Sequence, residues 1–492
     1  MSKERFVLEL ELDLNRDQKQ TLDKKLRIAK QIYNTVLNEC LKRLHKVHHD
    51  RNIQSLFKEL KNLKSDDPAR KRIREEIYVI EQSYGYTEYD MHSFVADVKH
   101  YFHDAIGIDE CQKLATRAFK AVQKVHYHQA KCVNFKAKDD DMSIEGKSYK
   151  STIHLNKDGT VSFKELKNIR LIVKKKDFYA MEALGCETKY VRILTRTVRG
   201  KVRYYAQLIQ VGTPPKKKRK TGRKNRRVGL DEGTTTIAVS SGNYVKLFEL
   251  APGCEADEMK LRKINRAMDR SRRAMNPDNY NEDGTVKSRK EREPWDESNK
   301  YKKLKAKRKE LYRIIAIKRK MAHEILANEI IAVGLDIRVE DMPIKGLQKK
   351  SKKTSKKKDG QNRSKKRFGK TIGNRAPAMF VTILTRKAAY YGGTVSKINT
   401  RAVKASQYDH EENVCKKKTL SQRYADIGKY RVQRDLYSAF LIENTENTLD
   451  MVNRKLCKRK FSNFVKQQNA EIERIKNSNN KTLEWYVTYK TA

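Results

Sequence analysis

The chain has 492 residues, 38% of them apolar, and carries 111 Lys and Arg against 61 Asp and Glu, a net charge of +50. Self-repulsion on that scale opposes compaction unless a polyanion offsets it, and phosphate backbones bind such a surface with release of counterions. The charge argues against an ordinary solubility-driven surface, which needs only a few units. No apolar run approaches the roughly 18 residues of a spanning helix. The start, Met-Ser-Lys-Glu-Arg, has no signal-peptide core, so a cytoplasmic protein without a membrane partner is expected. The seven cysteines form no C-x-x-C pair, and scattered reduced thiols are the simple reading.

Residues 5–14 alternate apolar and polar and predict a half-buried strand. Asn15, with Gln18 three residues on, has the pattern of a helix cap. Leu22, Leu26, Ala29, Tyr33, Val36, Cys40 and Leu44 then follow at helical spacing. Helical stretches continue to about residue 130, clearest at 110–127, where Leu114, Ala118, Val122 and Val125 share a face. His45, His48 and His49 read as a basic helix face rather than a metal site, and Tyr127 and Phe135 as core residues rather than base-stacking ones. From 133 to about 212 the pattern is strand-like, with a hairpin around Gly200. A strand, a helical insert and further strands predict one β module interrupted by a helical lobe.

Residues 214–227 hold nine basic residues in fourteen. Lys216, Lys217, Arg219 and Arg223 lie in this segment. It reads as a phosphate-contacting linker, and short basic strings also match nuclear-localisation patterns. Two strands around a tight Gly are expected over 228–250. Charged helices are expected at 256–275 and 300–333, and a strand at about 335–340. Residues 349–370 carry twelve Lys or Arg and one acid; Lys352, Lys365 and Arg367 are candidate phosphate contacts there. A helix at 376–391, a strand at 394–398, a core helix at about 433–446 and a basic helical tail complete the chain.

Three acids terminate or open apolar elements. Asp231 ends a strand in VGLDEGTTTIAVSS, Glu340 ends IRVE, and Asp435 opens the helix in VQRDLYSAFLI. An acid at the end of a buried strand is costly unless paired or bound to a cation. Phosphodiester hydrolysis uses such carboxylates to hold Mg²⁺ ions that activate water and stabilise the leaving oxygen. Each acid also has a plain reading: a turn residue, a strand-end surface acid, and a helix N-terminal acid favoured by the dipole. They stand 109 and 95 residues apart, so only a fold can gather them.

GLDEGTTTIAVSS, VEDMPIKGLQ and QRDLYSAFLI, in that order, resemble the three segments of a RuvC-type, RNase H-like nuclease. More specifically they resemble the transposon-associated TnpB family and the related compact type V CRISPR effectors. Tyr33-Asn34, Asn134-Phe135-Lys136 followed by Ser143, and Ser406-Gln407 extend the resemblance over most of residues 1–446. It implies an α/β multidomain protein. A wedge β-barrel would comprise 1–14 and 133–213, interrupted by a helical recognition lobe at 15–132. A basic linker (214–227) and a RuvC-like nuclease (228–404 and 431–446) would follow, with a basic helical tail at 447–492. It implies Asp231, Glu340 and Asp435 as catalytic metal ligands for two Mg²⁺ ions, with Mn²⁺ as a substitute. It also implies a noncoding guide RNA, double-stranded DNA as target, and protein recognition of a short target-adjacent motif. Monomer and dimer on one RNA both stay open. Tyr33, Asn34, Lys136 and Gln407 become candidate nucleic-acid contacts, and Arg434 a contact to phosphate or to the triad.

One segment departs from the family. Relatives carry a four-cysteine zinc module between the Ser-Gln segment and the last Asp. Residues 405–430 hold only His410 and Cys415 and no cysteine pair, so a zinc-free, degenerate insert is expected. Two other function classes remain: a nuclease-inactive RNA-guided DNA-binding repressor and a transposition-associated DNA-binding protein. Retention of all three acids speaks against the first, and the wedge-plus-lobe half against the second.

Overall fold

The computed structural model describes residues 4–64, 66–216, 219–349, 368–417, 419 and 422–488. The chain forms two compact units, Met1–Lys218 and Arg219–Ala492. No described helix is long and apolar enough to cross a membrane, and no disulfide joins the described cysteines.

In the first unit, β1 (Arg5–Asp13) leads into five helices: α1 (Arg16–His49), α2 (Arg51–Asn62), α3 (Ala69–Ser83), α4 (Glu88–Tyr101) and α5 (Ile108–His126). There follow β2 (Ser143–Glu145), β3 (Ile153–Leu155), β4 (Val161–Phe163), β5 (Leu166–Ile172), α6 (Phe178–Leu184), β6 (Thr188–Val198) and β7 (Lys201–Val211). The cap at Asn15 is a reciprocal box, Asn15 Oδ1 accepting from Gln18 N at 2.8 Å and Gln18 Oε1 from Asn15 N at 3.1 Å. Alternation in β1 buries Phe6, Leu8, Leu10 and Leu12, and the α1 stripe joins them in one core. The strands form a seven-stranded sheet in the order β2-β6-β7-β1-β5-β4-β3. Edge strand β3 lies close to β6, but among the described residues no strand ladder joins β2 to β3. Among the described residues the unit is a seven-stranded sheet whose edge strand comes back toward β6.

The second unit begins with β8 (Arg227–Glu232), β9 (Thr236–Ser241) and β10 (Tyr244–Glu249). Three strands stand where two were expected, because Gly242, with φ +58, turns the chain a second time. Next come α7 (Cys254–Met275), α8 (Asn299–Val333), β11 (Asp336–Glu340), α9 (Ile344–Gln348), α10 (Gly369–Arg375), α11 (Pro377–Tyr390), β12 (Thr394–Ile398) and α12 (Thr400–Val403). The 405–430 segment folds as short antiparallel pairs, β13 (Tyr408–Asp409) with β14 (Val414–Cys415), then β15 (Tyr424–Ile427) with β16 (Tyr430–Gln433). The unit ends in α13 (Arg434–Glu443), α14 (Arg454–Lys476) and α15 (Lys481–Val487).

Its sheet runs β10-β9-β8-β11-β12. Strands β8, β11 and β12 are parallel and β9 opposes β8. Successive side chains alternate between faces. Val228, Leu230, Ile237 and Val239 meet α8 and α11 on one face. Ala238, Val245 and Leu247 meet α13, α14 and α15 on the other. The result is a mixed α/β unit with helices on both faces of one sheet, within the α/β class expected from the sequence.

Candidate active site

Backbone register brings the three acids together. In the parallel ladder Gly229 pairs with Arg338 and Leu230 with Val339, so Asp231 and Glu340 stand at neighbouring strand ends just past the ladder. Gly229 shares a face with Asp231, two residues on. A methyl placed on Gly229 would overlap the carbonyl of Ala439 and the amide of Glu443. The missing side chain thus lets α13 lie against β8. From Ala439, one helical turn back toward the N-terminus reaches Asp435, on the same face as Asp231.

The far end of α13 is bolted down. Buried Glu443 accepts from Ser240 Oγ at 2.7 Å and from Gly242 N at 3.1 Å. Buried Arg338 bonds Thr445 Oγ1 at 2.9 Å, the Glu446 carbonyl at 2.9 Å and Asn447 Oδ1 at 3.1 Å. These contacts hold the helix against β9, β10 and β11, and so fix where Asp435 sits. Sequence reading missed Arg338 and Glu443; a charged residue inside an apolar strand or helix was the available signal.

The electrostatics follow from crowding. Burial holds the Asp231 carboxyl well above its ordinary range, and the neighbouring charges of Glu340 and Asp435 push it further; Arg434 acts in the opposite direction. Burial raises Glu340 as well. Asp435 is differently placed. It lies in the first turn of α13, where the helix dipole favours an anion, and Arg434 Nε and Nη2 each stand 3.0 Å from its Oδ1. Gln433 Nε2 reaches its Oδ2 at 3.4 Å, and Arg423 Nη1 lies 4.0 Å from the same atom. On the opposite face of β8, buried Glu232 is pushed up to about 7 by burial, and its Oε1 meets no hydrogen-bond partner.

Among the described residues no group of three His, Cys, Asp or Glu side chains is assembled closely enough to hold a metal ion. The donor chemistry fits a hard divalent cation all the same. Asp231, Glu340 and Asp435 offer oxygen only. Two of the three carry a charge that burial opposes, which a cation among them would offset.

The other candidates divide. Arg434 pairs with Asp435 rather than standing free. Tyr33 is buried in the first unit's core, 8% exposed, which leaves its ring no face for a base; helical periodicity had placed it in the core stripe as well. Asn34 clamps backbone, its Nδ2 donating to the Lys136 carbonyl at 2.9 Å and its Oδ1 accepting from Lys136 N at 2.8 Å. It positions the Lys136 segment. Lys216, Arg219 and Arg223 are exposed. Gly222 N, between the two arginines, donates to the Ile331 carbonyl at 2.8 Å. Gln407 lines a cavity of about 240 Å³ with Asp409, Lys416 and Gln422. Lys217, Lys352, Lys365 and Arg367 lie outside the described residues. His410 is fully buried, its Nδ1 2.7 Å from the Tyr437 hydroxyl and its ring edge-on to Phe461. Cys415 is exposed.

No family model matches the chain, and no curated protein does. Among solved structures it is distantly similar to a Cas12f1–sgRNA–target DNA complex, at 14% identity and a TM-score of 0.42, covering 90% of this chain and 99% of that one. It is also distantly similar to a CRISPR-Cas12f ternary complex (13%, TM-score 0.25, 87% and 82% covered) and to the mini-RNA-guided endonuclease CRISPR-Cas_phi3 (9%, 0.31, 90% and 92%).

Proposed function

We propose that this chain is a metal-dependent endodeoxyribonuclease guided by RNA. The observation that carries the proposal is the placement of Asp231, Glu340 and Asp435 on one face of the second unit's sheet, where burial opposes the charge of Asp231 and Glu340. Carboxylates so arranged suit Mg²⁺, or Mn²⁺, which supplies Lewis-acid stabilisation and an activated water when bound. The chain's own residues do the rest. Asp231 and Glu340 hold the charge at the strand ends. Gln433 and Arg434 orient Asp435, and the α13 N-terminus favours an anion beside it. The guided reading rests on the three sequence segments and on a net charge of +50, which suits a protein that leaves sequence recognition to base pairing. Under it the first unit supplies the wedge and recognition parts, with a guide RNA and double-stranded DNA as partners.

The test uses full-length protein with its co-purified RNA. Asp231→Ala, Glu340→Ala and Asp435→Ala are each expected to lower Mg²⁺-dependent cleavage of target DNA at least about a thousandfold, with RNA retention unchanged. Cleavage surviving in any one variant removes that residue from the site. DNA cleavage that persists after ribonuclease treatment, in protein carrying no discrete RNA, removes the guide. The hold of Arg434 on Asp435 favours a second reading, a guided repressor that binds and does not cut. Target binding by the RNA complex with no cleavage in Mg²⁺ or Mn²⁺ is the outcome that selects it.

A further inference from the structure

The C-terminal helix α15 carries two aromatic residues to the edge of this site. Leu483 and Val487, four residues apart, are buried against the core beneath α13 and fix which face of the short helix looks inward. Tyr424 donates its hydroxyl to the Val487 carbonyl at 2.6 Å. Gln433 Nε2, which also reaches Asp435, lies 3.4 Å from the Tyr486 carbonyl. The tail is therefore tied to the β15–β16 hairpin, and so to the residues that precede the catalytic helix.

Trp485 falls on the outward face and stays 51% exposed. An indole left this open forfeits much of the burial such a ring can gain, so its position asks for a ligand. The ring is held in place: the Arg423 guanidinium lies 4.3 Å from the Trp485 ring centre and 4.5 Å from that of Tyr486. The two rings meet edge to face at 4.9 Å. Arg423 is only 15% exposed on its side chain and Nη1 reaches to 4.0 Å from Asp435 Oδ2. Its Nε is buried with no hydrogen-bond partner. An oriented aromatic plate, backed by a cation, thus stands one guanidinium away from a candidate catalytic carboxylate.

We infer that Trp485 is a stacking platform for a nucleobase of the single DNA strand lying in the nuclease site, with Arg423 and Tyr486 as the residues that hold the indole in position. The inference rests on the nuclease reading above. A base can stack on a side chain only when it has left its own duplex, so the platform selects an unpaired strand. Every base has a π-face, so the contact is indifferent to sequence, as a guided enzyme requires of its cutting site. Charge complementarity supports the same occupant, because the Arg423 guanidinium lies against the ring and the chain as a whole carries +50, while the strand is a polyanion.

Two measurements on the full-length RNA-bound protein test this. The first compares cleavage of a single-stranded DNA oligonucleotide by wild type, Trp485→Ala and Trp485→Phe. Trp485→Ala is expected to raise KM about tenfold or more, the range for loss of one stacked base, with a smaller change in kcat. Trp485→Phe keeps an aromatic face and is expected to stay within about threefold of wild type. An unchanged KM in Trp485→Ala overturns the inference, and so does Trp485→Phe behaving like Trp485→Ala.

The second measurement reads binding without cleavage. In Trp295→Phe/Asp231→Asn protein, Trp485 is the chain's remaining tryptophan, since there are two. Its fluorescence is expected to be quenched saturably by single-stranded oligo-dT and not by an abasic oligomer of the same length. Equal quenching by the abasic oligomer, or quenching by oligo-rU alone, overturns the assignment. Saturable quenching by oligo-dT in a protein whose wild type cuts no DNA overturns the nuclease reading and leaves the platform standing. DNA cleavage with wild-type KM in Trp485→Ala does the reverse.

Discussion

Two acids, Glu81 in the first unit and Asp231 in the second, are treated in opposite ways. In the first, Glu81 Oε1 lies 2.7 Å from His126 Nε2, and both side chains are buried. His126 Nδ1 in turn stands 2.8 Å from His48 Nε2, and the Tyr127 hydroxyl donates to Glu81 at 3.2 Å. Helices α1, α3 and α5 are joined by a polar network in which each charge meets a partner. In the second unit, Asp231 meets Glu340 and Asp435, which are further carboxylates. The first arrangement is what stability asks of a buried acid. The second lowers stability, and proteins retain such arrangements at sites that do chemistry.

Breaking the satisfied network gives the largest expected loss. His126→Ala leaves buried Glu81 the Tyr127 hydroxyl alone in place of both partners, and removal of one partner from a buried pair costs about 3–5 kcal/mol. Denaturant unfolding followed by a first-unit probe reads it, and a loss below about 1 kcal/mol would show that the network behaves like an exposed pair. Gly229→Ala comes next. Its methyl meets the backbone of α13, and overpacking of this kind costs about 1–3 kcal/mol. It is also expected to abolish cleavage, since α13 moves with Asp435; a fully active Gly229→Ala protein would refute the placement of that helix.

Asp231→Asn goes the other way. It removes a charge that folding disfavours, so in EDTA at pH 8 it should stabilise the protein, by about 1.4 kcal/mol for each unit by which the pKa is raised. Mg²⁺ at tenfold over its Kd should add about 1.4 kcal/mol to wild type and little to Asp231→Asn. Thermal unfolding with and without Mg²⁺ checks both signs, and a destabilised Asp231→Asn protein would mean that the carboxylate is already well partnered.

The smallest effect is the pH dependence. Burial lowers the imidazole pKa of His48 and His92 in the first unit and of His323 and His410 in the second. A lowered histidine supports the fold above its unfolded value of about 6.5 and loses that support as pH falls through its folded value. Raised carboxylates have the reverse sign, giving stability as pH falls from their folded toward their unfolded values. Burial raises Glu110 in the first unit and Asp231, Glu232 and Glu340 in the second. Acidification from pH 7.5 to about 5.5 should therefore weaken the first unit more than the second. Local hydrogen exchange at the two pH values resolves the two, and a larger loss in the second unit would contradict the assignment of its carboxylates.

Much of the local structure was legible in the sequence. Alternation marked β1, the Asn15–Gln18 pair marked the start of α1, and apolar runs ending in an acid marked β8 and β11. These are short-range properties, set by periodicity and capping. Reading was weaker where one residue class has two roles. Tyr33 fits both a core stripe and a nucleic-acid motif, and its burial decides for the core. The second turn at Gly242, hence β10, has a local signal in Ser241-Gly242-Asn243, which a two-strand reading of 228–250 leaves unused.

The sequence by itself determined that the chain is cationic, that it is α/β, and that three acids close or open buried elements. Only the tertiary structure decided that those acids share one face. That outcome depends on a parallel register between β8 and β11 and on a glycine whose missing side chain admits α13. Pairings across about a hundred residues leave no trace in any local pattern. The same holds for Arg423, Trp485 and Tyr486, ordinary residues of a hairpin and a tail until packing sets them beside Asp435.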